Sequence, residues 1–182
     1  MNAVDFSSVV GLITLGLLTA NILLGLLLST KYNTLRQWPY RRLPVFQIHN
    51  WTGYVALSFA LLHPLILLAS RTAGFHWDDV LNPVHSPHQS LYNSLGATAL
   101  YLLIFVVVTS YFRPQLGNRR WKPLHYTAYA CAAFSYLHAL LIDPNLKDQP
   151  TDWLDGEKIL VEGCIAVTVA AIGWRVRVAL RG

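Results

Sequence analysis

Apolar residues dominate five stretches of the chain, and polar or charged residues separate them. A bilayer core about 30 Å thick is crossed by about 20 helical residues, within a range of about 17–25. The first three stretches meet this length, the fourth is polar for its length and the fifth is short. The pattern predicts an all-α membrane bundle of five transmembrane helices in a single domain, residues 1–182. The predicted segments are Phe6–Leu28, Phe46–Ser70, Leu91–Phe112, Leu124–Ile142 and Ile159–Trp174.

The charged residues between the segments divide into two groups of opposite sign. The connections after segments one and three, together with the region after segment five, hold eleven Lys and Arg and no acid. The other side holds eight of the nine acids and only three basic residues. Because cytoplasmic loops are enriched in Lys and Arg, the asymmetry predicts an N-terminus outside and a C-terminus inside, which agrees with an odd number of helices.

The overall composition fits an integral membrane protein. Hydrophobic residues make up 54% of the chain and charged residues 13%, whereas soluble domains average about 25% charged residues. The net charge of +5 follows from the topology, so we expect membrane lipid as a partner and no nucleic acid. The two cysteines, Cys131 and Cys164, lie in apolar stretches and form no CxxC motif.

Four of the seven histidines lie within the predicted segments, His49 and His63 in the second and His125 and His138 in the fourth. Spacings of fourteen and thirteen residues correspond to about 21 and 20 Å along a helix. His49 therefore matches His125 in depth near the inner face, and His63 matches His138 near the outer one. Two imidazoles at one level, on facing helices, are what a b-type haem needs as axial ligands. The alternative is histidines that only hydrogen-bond to neighbouring helices.

The thirteen-residue spacing raises a question of helical phase. At about 100° per residue, thirteen positions miss the same face by about 140°. Either the two haems are rotated relative to each other, or the fourth helix is irregular near its start. Pro123, just before His125, favours a modified first turn.

Two stretches carry a resemblance to a known family: RRLPVFQIHNWTGYVALSFALLHPL and LGNRRWKPLHYTAYACAAFSYLHAL. They resemble the ferric reductase transmembrane domain superfamily, which includes ferric reductases, NADPH oxidases and the membrane haem subunit of periplasmic methionine sulfoxide reductase. The likeness covers roughly residues 41–174. It implies a dihaem b-type cytochrome that moves electrons from an inner-face donor to an outer-face acceptor, as an oxidoreductase component in a bacterial inner (plasma) membrane. Carried over by position, the inner ligands fall on His49 and His125 and the outer ligands on His63 and His138.

The sequence departs from the family in three ways that bear on its electron donor, its acceptor and its number of haems. The larger members continue into flavin and NADPH-binding domains, whereas this sequence ends at Gly182 without a GxGxxG motif. We therefore expect electrons from a separate flavoprotein, from quinol or from a neighbouring subunit. Leu67 stands where NADPH oxidases usually carry a further histidine, which weakens an oxygen-reducing role. His49 is present, although the methionine sulfoxide reductase subunit generally lacks it, and this favours two haems.

Two other functions stay open at this level. One is a non-catalytic, haem-bearing or structural subunit of a larger membrane redox complex. The other is a quinol-oxidising cytochrome b.

Several further residues are candidates for the haem environment. Gly53, one turn after His49, would let a flat macrocycle approach or would serve small-residue helix packing. Basic residues could pair with haem propionates or could serve only topology and lipid binding. His76, His85 and His88 in the outer loop could bind a metal ion or form part of a solvated loop. The basic candidates are Arg41, Arg42, Arg119 and Arg120 at the inner side and Arg71 at the outer side.

Overall fold

The chain is predominantly helical in the part that the computed structural model describes, which comprises residues 2–29, 44–70, 73–143 and 152–181, and no strand occurs there. Seven α-helices and one 3₁₀ turn, Pro83–His85, make up this part. The helices are α1 (Ala3–Ser29), α2 (Val45–Leu68), α3 (Trp77–Leu81), α4 (Ser90–Tyr111), α5 (Arg113–His125), α6 (Thr127–Leu141) and α7 (Gly156–Arg181).

Four of these helices, α1, α2, α4 and α7, are long and apolar enough to cross a membrane. They confirm the all-α membrane architecture predicted from the hydrophobic pattern. The fourth predicted segment corresponds to α6, whose 15 residues span about 22 Å and fall short of a bilayer core by themselves. The count of five spans and the orientation of the termini therefore stay predictions.

Helices α5 and α6 are separated by a break at Tyr126. The Tyr126 amide donates to the carbonyl oxygens of Lys122 and Pro123, both at 3.2 Å, and His125 is the last residue of α5. The Tyr126 backbone stays in the right-handed helical region (φ −67°, ψ −15°) and the Tyr129 amide donates to the Tyr126 carbonyl oxygen at 3.1 Å, so the break is a local tightening of the helix. The irregularity considered for the start of the fourth segment is thus present, three residues beyond Pro123.

The membrane helices pack as two close pairs, α1 along α2 and α4 along α6, with α7 against α1 and α6. A buried chain of hydroxyls joins three of them, because the Tyr136 hydroxyl lies 2.9 Å from Thr19 Oγ1 and 2.8 Å from Thr168 Oγ1. Interhelical hydrogen bonds of this kind hold helices together where lipid removes the hydrophobic driving force. The apolar core around this chain includes Leu15 and Val161.

Candidate functional site

The inner pair of histidines comes together between α2 and α5. The ring centroids of His49 and His125 lie 6.1 Å apart, with 75° between the ring planes. His49 Nδ1 lies 3.1 Å from the backbone oxygen of Asn21 in α1. A carbonyl oxygen can only accept a hydrogen bond, so Nδ1 carries the proton and Nε2 has its lone pair available.

His125 is held by side chains rather than by a carbonyl group. Its Nδ1 lies 3.1 Å from Ser110 Oγ, and the Trp121 ring stacks on it with centroids 4.7 Å apart. Trp121 Nε1 donates to the same Ser110 hydroxyl at 3.3 Å. The Arg113 guanidinium lies over the Trp121 ring at 4.4 Å and over the Phe46 ring at 5.6 Å, so a cation is fixed beside the inner pair.

The outer pair repeats this arrangement between α2 and α6. The ring centroids of His63 and His138 lie 6.3 Å apart, with 74° between the planes. His63 Nδ1 donates to the Ser7 carbonyl oxygen at 2.7 Å, and His138 Nδ1 donates to that of Tyr92, also at 2.7 Å. The Ser7 hydroxyl in turn donates to the His63 carbonyl oxygen at 2.9 Å. Both outer imidazoles are therefore fixed in the tautomer that leaves Nε2 available.

Glycines on α1 and α4 lie directly against three of the four imidazoles. A Cβ built on Gly96 would stand 2.8 Å from His138 Cε1, one on Gly11 would stand 3.1 Å from the His63 ring, and one on Gly25 would stand 3.3 Å from His49 Cε1. These helix backbones approach the rings so closely that a methyl group would collide with them or press on them.

Sequence reasoning missed these contacts, although the spacing of small residues in the sequence could have indicated them. Gly11 and Gly25 are fourteen residues apart, as are Gly96 and Ser110, and His49 and His63 have the same spacing. Helices α1 and α4 thus each carry two small residues with the same fourteen-residue spacing as the two histidines of α2. The ring of Trp121 likewise lies on His125.

The donor set of each level fits two axial ligands of a haem. A metal ion between two imidazoles lies about 2 Å from each coordinating nitrogen, which places the ring centroids about 6 Å apart. The observed separations of 6.1 and 6.3 Å match this requirement. Metal-ligating histidines usually donate their other N–H to a carbonyl or a comparable acceptor, as three of these four do. The histidines therefore do hydrogen-bond to neighbouring helices, as the alternative interpretation expected, but these bonds use Nδ1 of each ring and leave Nε2 for a metal ion.

The remaining candidate residues lie away from the two pairs or outside the described residues. Gly53 faces α1, where a Cβ would stand 3.4 Å from Asn21 Nδ2, and this contact favours small-residue helix packing. Arg119 and Arg120 are exposed on α5. The three other basic candidates, Arg41, Arg42 and Arg71, lie outside the residues that the structure describes.

The outer-loop histidines take separate positions. His76 precedes α3 and caps it, His85 is exposed, and the ring of His88 lies 6.2 Å from that of Phe75. Within the described ranges, no group of three or more His, Cys, Asp or Glu side chains is placed to share a metal ion.

Comparisons with known proteins agree with the resemblance noted in the sequence. A family model described as "Ferric reductase like transmembrane component" matches residues 10–141. The chain is also 27% identical over 178 residues to the heme-binding subunit MsrQ of protein-methionine-sulfoxide reductase from Azospira oryzae. That alignment covers 92% of this chain and 66% of the relative's length. No solved structure gives a significant match.

Proposed function

The chain belongs to the family of ferric reductase like transmembrane components, and from this premise we propose that it moves electrons across a membrane through two b-type haems. His49 and His125 would hold the inner haem, and His63 and His138 the outer one. The haem iron supplies the one-electron redox chemistry when it is bound. The relative's name, a heme-binding subunit, supports haem as the cofactor.

The observation that carries the proposal is the repetition of one arrangement at two levels. Each level has two imidazoles about 6 Å apart, and in every ring Nδ1 is already engaged. The protein's own contribution is to hold the rings and to keep each Nδ1 hydrogen-bonded. Fourteen residues of α2 separate the two levels by about 21 Å, so electrons would cross most of the bilayer within one chain.

The proposed direction of transfer rests on the difference in charge between the two ends of the bundle. Basic residues such as Arg113 and Arg175 mark the inner end, and acids such as Asp79 and Glu157 mark the outer end. We propose an inner-face donor, which is a flavoprotein, quinol or a neighbouring subunit, and an outer-face acceptor. Since the relative is itself a subunit, membership in a membrane redox complex is part of the proposal. The bacterial relative supports a location in a bacterial inner membrane. We also propose that residues 1–182 form one haem-binding domain.

The test is the haem content of the purified chain and of its histidine variants. Wild-type protein should bind two low-spin b-type haems. His63→Ala or His138→Ala should remove the outer haem alone, and His49→Ala or His125→Ala the inner haem alone. A spectrum without reduced b-type bands would refute the proposal. If His63→Ala and His125→Ala removed the same spectral component, the pairing by level would be wrong.

A further inference from the structure

A cavity of about 200 Å³ opens between His63 and His138 and extends toward the outer end of the bundle. Four charged residues line it: Asp79, Asp143, Glu157 and Lys158. Lys158 is the one lysine or arginine among the described residues around this cavity. An anionic ligand entering here would therefore meet three carboxylates and a single cation.

Lys158 is almost fully buried, with 4% of its surface exposed. Its ammonium group donates to the carbonyl oxygens of Ala139 at 2.9 Å and Ile142 at 2.6 Å. These carbonyls belong to the last turn of α6, next to His138. The contacts therefore hold the positive charge at the end of the helix that carries an outer imidazole, on the outward side of the imidazole pair.

The Lys158 ammonium has more donor capacity than these contacts use. An ammonium group has three N–H donors, and the two carbonyls occupy two of them. Burying a charge at this level is costly unless an opposite charge or a full set of hydrogen bonds compensates it. The neighbouring Glu157 already accepts a hydrogen bond from the Ser8 hydroxyl at 3.0 Å. Glu157, Asp143 and Asp155 interact electrostatically with Lys158, whereas the hydrogen bonds of its ammonium group go to the two carbonyl oxygens. The remaining N–H donor, on the wall of a cavity that both outer imidazoles also line, is suited to receive a carboxylate.

We propose that Lys158 binds a propionate carboxylate of the outer haem, an inference that rests on the proposed function. A b-type haem brings two carboxylates into a space that Asp79, Asp143 and Glu157 already make negative. Lys158 is the described group that offsets this repulsion, and its charge-assisted hydrogen bond is of the stronger kind. Sequence reasoning had looked for an outer propionate partner at Arg71, which lies outside the described residues.

A purely structural role for Lys158 makes a different prediction. A lysine that only caps the carbonyls at the end of α6 stabilises that helix terminus whatever ligand is bound. A lysine that pairs with a propionate discriminates between haem and haem whose carboxylates are esterified. The esterified cofactor therefore separates the two roles.

The experiment compares protohaem with its dimethyl ester in the full-length chain. A His49→Ala background confines binding to the outer level, and haem loss to apomyoglobin reports retention. Lys158→Gln should speed the loss of protohaem by about tenfold, the loss expected for one charge-assisted hydrogen bond, and should change the loss of the ester less than twofold. Lys158→Arg, which keeps the charge, should preserve most of the discrimination. Lys122→Gln, at an exposed inner position, is the matched control and should have no effect.

Each outcome bears on the inference. Equal acceleration of haem and ester loss in Lys158→Gln would reduce Lys158 to a helix cap and overturn the proposal, as would no acceleration at all. If Lys158→Gln does not fold, wild type and Lys158→Arg still decide, because equal retention of haem and ester by both would also overturn it. A wild-type chain that binds neither cofactor would instead refute the proposed function, and the inference with it.

Discussion

Replacing Gly96 by alanine should weaken binding of the outer haem while leaving the helix intact. The new Cβ would stand 2.8 Å from His138 Cε1, 2.9 Å from Nδ1 and 3.0 Å from Nε2, where ordinary contacts begin at 3.4 Å. The ring would have to retreat by about 0.6 Å, and overpacking of this kind costs about 1–3 kcal/mol. Alanine is favoured over glycine in a helix by about 1 kcal/mol, so α4 itself should not weaken.

The ring has no easy way to retreat. Its Nδ1–H donates to the Tyr92 carbonyl at 2.7 Å, and its Nε2 would bind the iron. Loss of an outer-shell partner of a metal-ligating histidine typically reduces affinity by about 10–100-fold. We therefore expect Gly96→Ala to bind the outer haem at least about tenfold more weakly than wild type.

The assay is the haem-to-protein ratio and the rate of haem transfer to apomyoglobin. Gly11→Ala, where the contact is 3.1 Å, should produce a smaller loss at the same level, and Gly25→Ala, at 3.3 Å, a slight loss at the inner level. Gly16→Ala is the matched control, because nothing lies within 4 Å of a Cβ at that position of α1. If Gly96→Ala and Gly16→Ala retain haem equally, the close approach of α4 does not position His138.

The other predictions concern the inner level, the loop and the donor. With Nε2 bound to the iron, His125 Nδ1 would carry the proton and donate to Ser110 Oγ, so Ser110→Ala would remove this acceptor and lower the basicity of the ligand. The midpoint potential of the inner haem should rise by roughly 20–60 mV in a redox titration while the outer one stays fixed; an unchanged inner potential would contradict a role for this contact. Alanine at His76, His85 or His88 should leave the haem content of purified protein unchanged, and loss of a haem would show that the loop supplies a ligand. In oriented vesicles, an acidic soluble donor should reduce the haems only from the basic face and faster at low salt, since the Debye length is about 8 Å at physiological ionic strength; equal rates from both faces would favour quinol or a bound subunit.

Hydrophobic periodicity predicted the first three spans closely. The predicted bounds of segments one to three differ from α1, α2 and α4 by three residues at most. The end of the chain was predicted less well, because α7 extends over 26 residues and includes charged positions at both ends that a hydropathy window excludes. The break at Tyr126 depends on how the chain turns from α5 into α6, and Pro123 indicated only the neighbourhood.

The histidines could be found from sequence, whereas most of their surroundings could not. The depth of a residue along a helix follows from the number of residues, so the two levels at which the histidines pair could be predicted from the sequence. The glycines against the imidazoles depend on the rotation of α1 and α4 about their own axes, which only packing determines. Lys158 was placed on the outer side by its position between segments four and five, and its burial depends on tertiary contact with the last carbonyls of α6.

The pairing of the helices determines when this site can exist during synthesis of the protein. Helix α2, packed along α1, supplies His49 and His63, and the later helices α5 and α6 supply His125 and His138. Since the chain enters the membrane from its N-terminus, the first half is complete before any partner imidazole has been made. A ligand that bridges the two halves binds only the assembled bundle and so stabilises it by mass action. Binding of the cofactor would thereby favour the association of the two halves of the bundle.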